Sequence, residues 1–150
     1  MVDVAVLGAT EVDVNFNANV VTHSDGRLLH GVGGWQNCLA SGCTILALPS
    51  FRDRIPVIVD EVTTLVGPGE LIDVIVTERG IAVNPRRTDL IERFKGSKLP
   101  MKSIEELHDM AITMTGEPRK PEFEERIVAL IEFRDGTVID TVRQLRPPRQ

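Results

Sequence analysis

The chain has 150 residues, 42% of them hydrophobic, with five Phe, one Trp, no Tyr and a formal net charge of −5. That length suits one domain with a buried core, while the acidic balance and scarce aromatics count against a nucleic-acid partner. No apolar run reaches the roughly 18–20 residues of a bilayer span, and "MVDVAVLGATEVD" has no basic segment ahead of an apolar one. The reading is therefore a cytoplasmic protein with no membrane contact.

In chain order, "VDVAVLG" (Val2–Gly8) is a β-branched run closed by Gly, which predicts a buried strand. It starts at Met1 with no neighbouring strand before it, so the chain is expected to be part of something larger and to pair with another chain or with itself. "NANVVT" (Asn17–Thr22) predicts a second strand and "HSDGR" a turn around Asp25-Gly26. "WQNCLASG" suits a short helix stopped by Gly42. "CTILALP" predicts a buried strand, and "FRDRIPVIVDEVTTLVGPGE" an extended segment with hairpin character. "LIDVIVTERGIAVNP" holds two short strands around Arg79-Gly80.

Helices follow. "RRTDLIERFKG" places Thr88 at an N-cap. "KSIEELHDMAITMTG" opens on the capping box Ser103-x-x-Glu106, with Ile104, Leu107, Met110, Ala111 and Met114 as its core-facing set. "GEPRKPEFEE" (Gly116–Glu125) reads as a connecting loop. "RIVALIEFRDGTVIDTVRQL" predicts a hairpin about Asp135-Gly136. The fold class expected is α/β: a mixed, mostly parallel sheet flanked by helices, with a C-terminal β-hairpin and a frayed tail over 146–150.

Three constellations could carry chemistry. In "HGVGGWQNC", Gly31, Gly33 and Gly34 either form a tight turn or let backbone N–H groups approach an anion. The loop lacks the third glycine of a dinucleotide fingerprint, and no Gly-Lys-Ser/Thr follows. Glu11, Asp13, Asn15, Asn17 and Asn19 sit just after the first strand, where they could orient a polar substrate or serve turn geometry. In "ERGIAVNPRR", Glu78 ends an apolar strand, while Arg86 and Arg87 could hold phosphates or carboxylates or be plain surface charge. His23, His30 and His108 show no ligand spacing; His30 reads as loop and His108 as a solvated helix position. Cys38 and Cys43, spaced C-x4-C without a second cluster, read as reduced thiols, and no metal site is expected.

Together "GATEVDVNFNANVVT", "GVGGW", "RIPVIVDEVTT", "IDVIVTERGIAVNPRR" and "FEERIVALIEFRDGTVIDTVRQL" resemble the C-terminal part of the citrate lyase alpha chain, a citrate CoA-transferase of the CoA-transferase superfamily. The resemblance runs from about Met1 to Leu145, and it implies a CoA-transferase-like C-terminal domain over 1–145 preceded, in the family, by a first domain. The activity implied is acyl exchange, with acetyl on a CoA-like thiol replaced by citryl within citrate lyase. The co-substrate would be CoA, as acetyl-CoA, or the CoA-like prosthetic thiol of an acyl carrier protein, with no covalently bound cofactor. Acyl carrier protein and lyase subunits would be partners in a homo- or hetero-oligomer.

The resemblance maps the superfamily's oxyanion loop onto Gly31, Gly33, Gly34 and Trp35, with Gly33, Gly34 and Trp35 the catalytic candidates. Glu11, Asp13, Asn17 and Asn19 would form a polar substrate wall; Asn37, Asn84 and Arg86 are further substrate-binding candidates. Where the family usually reads Gly-Gly-His-x-Asp, this chain has Gly33-Gly34-Trp35-Gln36-Asn37. Two other readings stay open: a non-catalytic binding or assembly module of the same fold, and a transferase for a different carboxylic acid.

Overall fold

The computed structural model describes residues 2–146. In chain order the elements are β1 (Val4–Leu7), β2 (Glu11–Asp13), β3 (Ala18–Asn19), α1 (Trp35–Cys38), β4 (Cys43–Ala47), β5 (Phe51–Arg52), β6 (Ile55–Pro56), β7 (Ile58–Val59), a 3₁₀ turn (Gly69–Leu71), β8 (Val74–Thr77), β9 (Gly80–Val83), α2 (Thr88–Phe94), α3 (Ile104–Thr115), β10 (Phe123–Glu132) and β11 (Val138–Leu145). The chain is mixed α/β, but its strands divide among four small sheets rather than one. The largest runs β1-β4-β8-β9, and β3-β2-β7 forms a second. The two hairpins β5-β6 and β10-β11 complete the set.

The expected mixed α/β class is met, but the single mostly parallel sheet flanked by helices is met only in part. The main sheet has two parallel pairings and one antiparallel, and the remaining strands form separate small sheets. Pairings β1-β4, β4-β8 and β2-β7 are parallel, whereas β2-β3, β5-β6, β8-β9 and β10-β11 are antiparallel. The connections explain why. Parallel neighbours need long crossovers, and here the crossovers hold a four-residue helix or a single 3₁₀ turn in place of a covering helix. Turn chemistry at Arg79-Gly80 and Asp135-Gly136 imposes antiparallel pairing instead.

Other expectations also shift. The first strand is an edge strand rather than a buried one: Val4 is 51% exposed and Val6 64%. The run Asn17–Thr22 supplies only two strand residues, because Asn19 turns its side chain to cap the backbone N–H groups of Val21 and Thr22. Local side-chain bonding of this kind diverts the backbone from a ladder. Thr88 is the first helical residue of α2 and Arg87 holds the N-cap position, without a side-chain cap. Residues 123–125 belong to β10 rather than to the preceding loop. Arg146 is tied to Glu122 through both its N–H and its guanidinium; the rest of the expected frayed tail lies outside the described residues.

The capping box of α3 forms as expected. Ser103 Oγ accepts from Glu106 N–H at 3.1 Å, and Glu106 Oε2 accepts from Ser103 N–H at 2.7 Å. Ile104, Leu107 and Ala111 are buried against β6, β7 and β9, while Met110 is half-buried and Met114 largely exposed. The stripe is narrower than the apolar pattern predicts.

At the amino ends of β4 and β8 a buried ion pair joins three elements. Arg87 Nη1 lies 2.8 Å from Asp73 Oδ1 and also donates to Gly42 O, while Asp73 Oδ2 accepts from Thr44 N–H at 2.7 Å. The same guanidinium grips Asp89 through Nε and Nη2, both at 2.9 Å. Arg87 is therefore a structural tie rather than plain surface charge. Replacing it with Leu strands a buried carboxylate and should cost about 3 kcal/mol in urea unfolding, with most of that recovered in the Asp73→Asn/Arg87→Leu double variant.

The hydrogen bonds from Arg87 hold the Asp89 carboxyl at about 2, below its ordinary 3.8. A depressed carboxyl adds stability above its unfolded value and loses it as pH falls through the folded one. Asp89→Asn should therefore unfold more readily than the parent at pH 5, and the gap should close by pH 2 as judged from urea midpoints.

Candidate active site

Two acidic side chains are fully inside the protein. Glu11 is 2% exposed and Asp13 1%, both on the short strand β2 between β3 and β7. Burial of a carboxylate is tolerated only when its oxygens are satisfied. Glu11 Oε2 accepts from Asn19 Nδ2 (2.8 Å) and Thr63 N–H (2.8 Å), and Oε1 from Thr63 Oγ1 (3.0 Å). Asp13 Oδ1 accepts from the N–H groups of Asn15 and Asn17, and Oδ2 from Asn17 Nδ2 (3.1 Å).

The network extends outward. Asn19 Nδ2 also donates to Thr22 Oγ1, which shares a 2.8 Å hydrogen bond with Thr64 Oγ1. Asn17 Oδ1 accepts from Gly69 N–H (2.9 Å), and Asn84 Nδ2 donates to the carbonyls of Gly69 and Ile72 (both 2.9 Å). A Cβ at Gly69 would collide with the Asn15 carbonyl and Asn17 N–H, so only glycine lets the 3₁₀ turn meet the β2–β3 turn. The structure thus brings Glu11, Asp13, Asn17, Asn19 and Asn84 together, with every hydrogen bond named above made inside the chain. Their geometry is that of a clamp between residues 10–22 and 60–72. Thr63 and Thr64 complete it, and "VTTL" inside an apolar run was the sequence signal for them.

The glycine loop lies at the carboxyl end of β1, the end of parallel strands where ligand groups gather in open α/β sheets. Trp35 sets it there. Its Nε1 donates to Gly8 O at 2.9 Å, and its ring fills the space that a side chain at Gly67 would need. Gln36, buried, donates from Nε2 to Val66 O at 3.0 Å. The Trp35 N–H is already directed to Val32 O at 3.2 Å. Gly33 and Gly34 are exposed, and among the described residues their N–H groups reach no protein acceptor. Gly33 has φ +57°, a conformation suited to glycine. Gly31 and Asn37 are exposed beside them. The loop leaves two adjacent backbone donors open to solvent; Trp35 positions it.

Glu78, at the carboxyl end of β8, accepts from Ser50 N–H at 3.0 Å and faces Arg79 Nε at 3.4 Å. Partial burial pushes its carboxyl up, but the Ser50 hydrogen bonds and the Arg79 charge outweigh that and hold it below the usual range. Arg86 is exposed at the opposite, amino end of the sheet with Asn84, apart from the glycine loop. His108 is not solvated: its side chain is 12% exposed, with Nε2 3.3 Å from Asp60 Oδ1 but out of hydrogen-bond alignment. Cys38 and Cys43 are free thiols, and burial together with the Asp73 charge pushes the Cys43 thiol up, away from nucleophilic character.

Among the described residues, two clefts of ≈ 250 Å³ and ≈ 200 Å³ lie beside the buried clamp rather than over the glycine loop. The first is floored by Thr22, Thr63 and Thr64 under β11, and the second runs past Glu11 to Arg119 and Lys120.

The chain is thus a mixed α/β fold with an exposed glycine loop at the carboxyl end of its edge strand β1. The family model for the citrate lyase alpha subunit matches residues 1–145, and the chain belongs to that family. It is 45% identical over 146 residues to the citrate lyase alpha chain of Klebsiella pneumoniae and 46% identical over 145 residues to that of Escherichia coli. Those alignments cover 96% of this chain and 28% of each relative, so the chain spans under three-tenths of their length. A crystal structure of a citrate lyase alfa subunit from Streptococcus mutans in complex with citrate superposes with a TM-score of 0.94 at 47% identity. It is covered to 29%, and this chain to 97%. The M31G mutant of RipA shares the fold at 21% identity and a TM-score of 0.51, over 73% of this chain and 27% of RipA.

Removing Glu11 separates a clamp from a surface contact. Glu11→Ala leaves unpaired one donor of buried Asn19 and two of half-buried Thr63, and should cost on the order of 3 kcal/mol in urea unfolding. Glu11→Gln retains one acceptor and should cost less, and Asn15→Ala, exposed, under about 0.5 kcal/mol.

Proposed function

We propose that this chain supplies the C-terminal part of a citrate lyase alpha-type transferase, which exchanges acetyl for citryl on a CoA-like thiol carried by an acyl carrier protein. The observation that carries it is the exposed Gly33-Gly34 backbone, with two free N–H groups, held at the carboxyl end of β1 by Trp35. Family membership across 1–145 supports the same reading. In an acyl exchange the carbonyl oxygen of a thioester or mixed anhydride gains negative charge as it is attacked. Two backbone donors aimed at that oxygen stabilise it more than they stabilise the ground state, and each such donor is typically worth about 10²–10³ in rate.

In this reading Gly33 and Gly34 donate to the acyl oxygen, Gly31 gives the loop its reach, and Trp35 sets the loop's position through Gly8 and Gly67. Glu11, Asp13, Asn17 and Asn19 act through the clamp that holds residues 60–69 under Trp35 and Gln36. The attacking carboxylate would come from outside this span, as the resemblance to the CoA-transferase superfamily implies. The free 150-residue chain is therefore expected to show little or no turnover. A second reading, a different acid as acceptor, is favoured by the neutral, exposed Asn37 in the loop. Lyase subunits and an acyl carrier protein are the partners the reading implies.

The test grafts this chain into the Klebsiella pneumoniae alpha chain in place of the matched region and measures acetyl-to-citryl exchange. Gly34 has φ −88° and nothing within 4 Å of a built Cβ, so Gly34→Ala should leave the melting temperature unchanged. It should lower exchange by at least about tenfold, because the methyl obstructs approach to the donors. Exchange unaffected by Gly34→Ala rules out the loop; exchange with a smaller acid but not citrate supports the second reading.

A further inference from the structure

The larger cleft, of ≈ 250 Å³, opens between the clamp and β11. Two of its floor residues are almost fully inside the protein, Thr22 at 1% and Thr64 at 2% exposure. Their hydroxyls share a single 2.8 Å hydrogen bond, and Thr22 Oγ1 also accepts from Asn19 Nδ2 at 2.9 Å. A hydroxyl has one hydrogen to give. Whichever of the two donates to the other, the second hydrogen has no acceptor among the described residues. A buried donor left unmatched is costly, so a spare one on a cleft floor calls for an acceptor from outside the chain.

The wall formed by β11 adds charge. Asp140 and Arg143 both line the cleft, yet they do not pair with each other, and Arg143 makes no ion pair among the described residues. The Asp140 carboxylate is fixed by the N–H groups of Leu65 and Thr141, both at 2.7 Å, and keeps lone pairs for further donors. The planar fork of Arg143 suits a carboxylate. One charge of each sign leaves the lining neutral, and Glu11 stands behind the floor on the hydroxyl of Thr63. A multiply charged anion would gain at Arg143 and lose at Asp140 and Glu11, whereas one carboxylate with hydroxyls beside it satisfies both ends. Phe123 closes a side with apolar surface. At about 30 Å³ per water-sized unit, the cleft holds on the order of eight heavy atoms. The geometry points to a binding site for a small hydroxy monocarboxylate, its carboxylate on Arg143 and a hydroxyl bridging the Thr22–Thr64 pair to Asp140. The site is separate from the glycine loop, and the inference does not rest on the exchange reaction.

The experiment titrates glycerate into the isotope-labelled 150-residue chain and follows backbone amides by NMR, with propionate, citrate and inorganic phosphate as comparison probes. Glycerate should shift the amides of Thr64, Leu65 and Thr141 saturably, with a dissociation constant on the order of 1 mM. Arg143 is exposed, so Arg143→Gln should leave the melting temperature unchanged while weakening glycerate at least about tenfold. Thr64→Val keeps the shape of the side chain and should weaken glycerate but not propionate, which has no hydroxyl to lose. Propionate, citrate and phosphate should each bind these amides at least about tenfold more weakly than glycerate. The absence of a saturable shift by about 50 mM glycerate overturns the site, as do shifts centred on Gly33 and Gly34 instead. Citrate or phosphate binding as tightly as glycerate overturns the charge matching, and propionate doing so overturns the role of the hydroxyls.

Discussion

Two buried carboxylates organise the residues on which the glycine loop rests. Glu11 and Asp13 sit on a three-residue strand with almost no solvent access, and their charge is balanced by N–H and hydroxyl donors rather than by a cation. Such a group is costly to desolvate and costlier to leave unpaired, so each donor it recruits becomes hard to move. Thr63 is one of those donors, which pins the start of the 60–69 segment. The same segment then receives Gln36 at Val66 and the Trp35 ring at Gly67. A line of packed contacts thus runs from Glu11 through Thr63 and Val66 to the glycine loop. The loop's amides are exposed, yet Val66 and Gly67, against which Gln36 and Trp35 rest, are buried.

The two ends of the main sheet divide their labour. At the amino ends of β4 and β8, Arg87 binds Asp73, Asp89 and the Gly42 carbonyl, and all its capacity goes into holding strands and helix together. At the carboxyl ends, Gly8, Ser50 and Glu78 are joined by single hydrogen bonds and the glycine loop is open. Polar groups with saturated partners stabilise; polar groups with spare donors can recognise. By that standard Asn84 falls on the stabilising side of the sheet, and Gly33 and Gly34 on the other.

Much of the local structure was legible in the residues. Asp135-Gly136 between alternating runs fixes a hairpin, and Ser103-x-x-Glu106 fixes the start of α3, because each depends on neighbours a few positions apart. The family resemblance was legible too, since it lies in the order of motifs along almost the whole chain. What escaped depends on distant partners. Periodicity shows that Val2–Gly8 is a strand but not that it forms an edge, since an uncovered face and a covered one have the same composition. Glu11 and Asp13 look like ligand groups because nothing nearby marks Thr63 as their partner 52 residues on. Arg87 looks like surface charge until Asp73 is brought beneath it. Local rules also lost to side-chain competition at Asn19, whose carbonyl oxygen takes the N–H groups that would have continued β3.

The exposure of the glycine loop bears on the proposed exchange through dielectric. Two amides in bulk water gain little from a developing oxyanion, because solvent already offers equal donors and screens the charge. The same two amides in a site closed to water face a charge with no other donors and need no reorganisation to meet it. Gly33 and Gly34 are exposed in this structure, so the proposed role for them requires that water be excluded from the loop during the exchange.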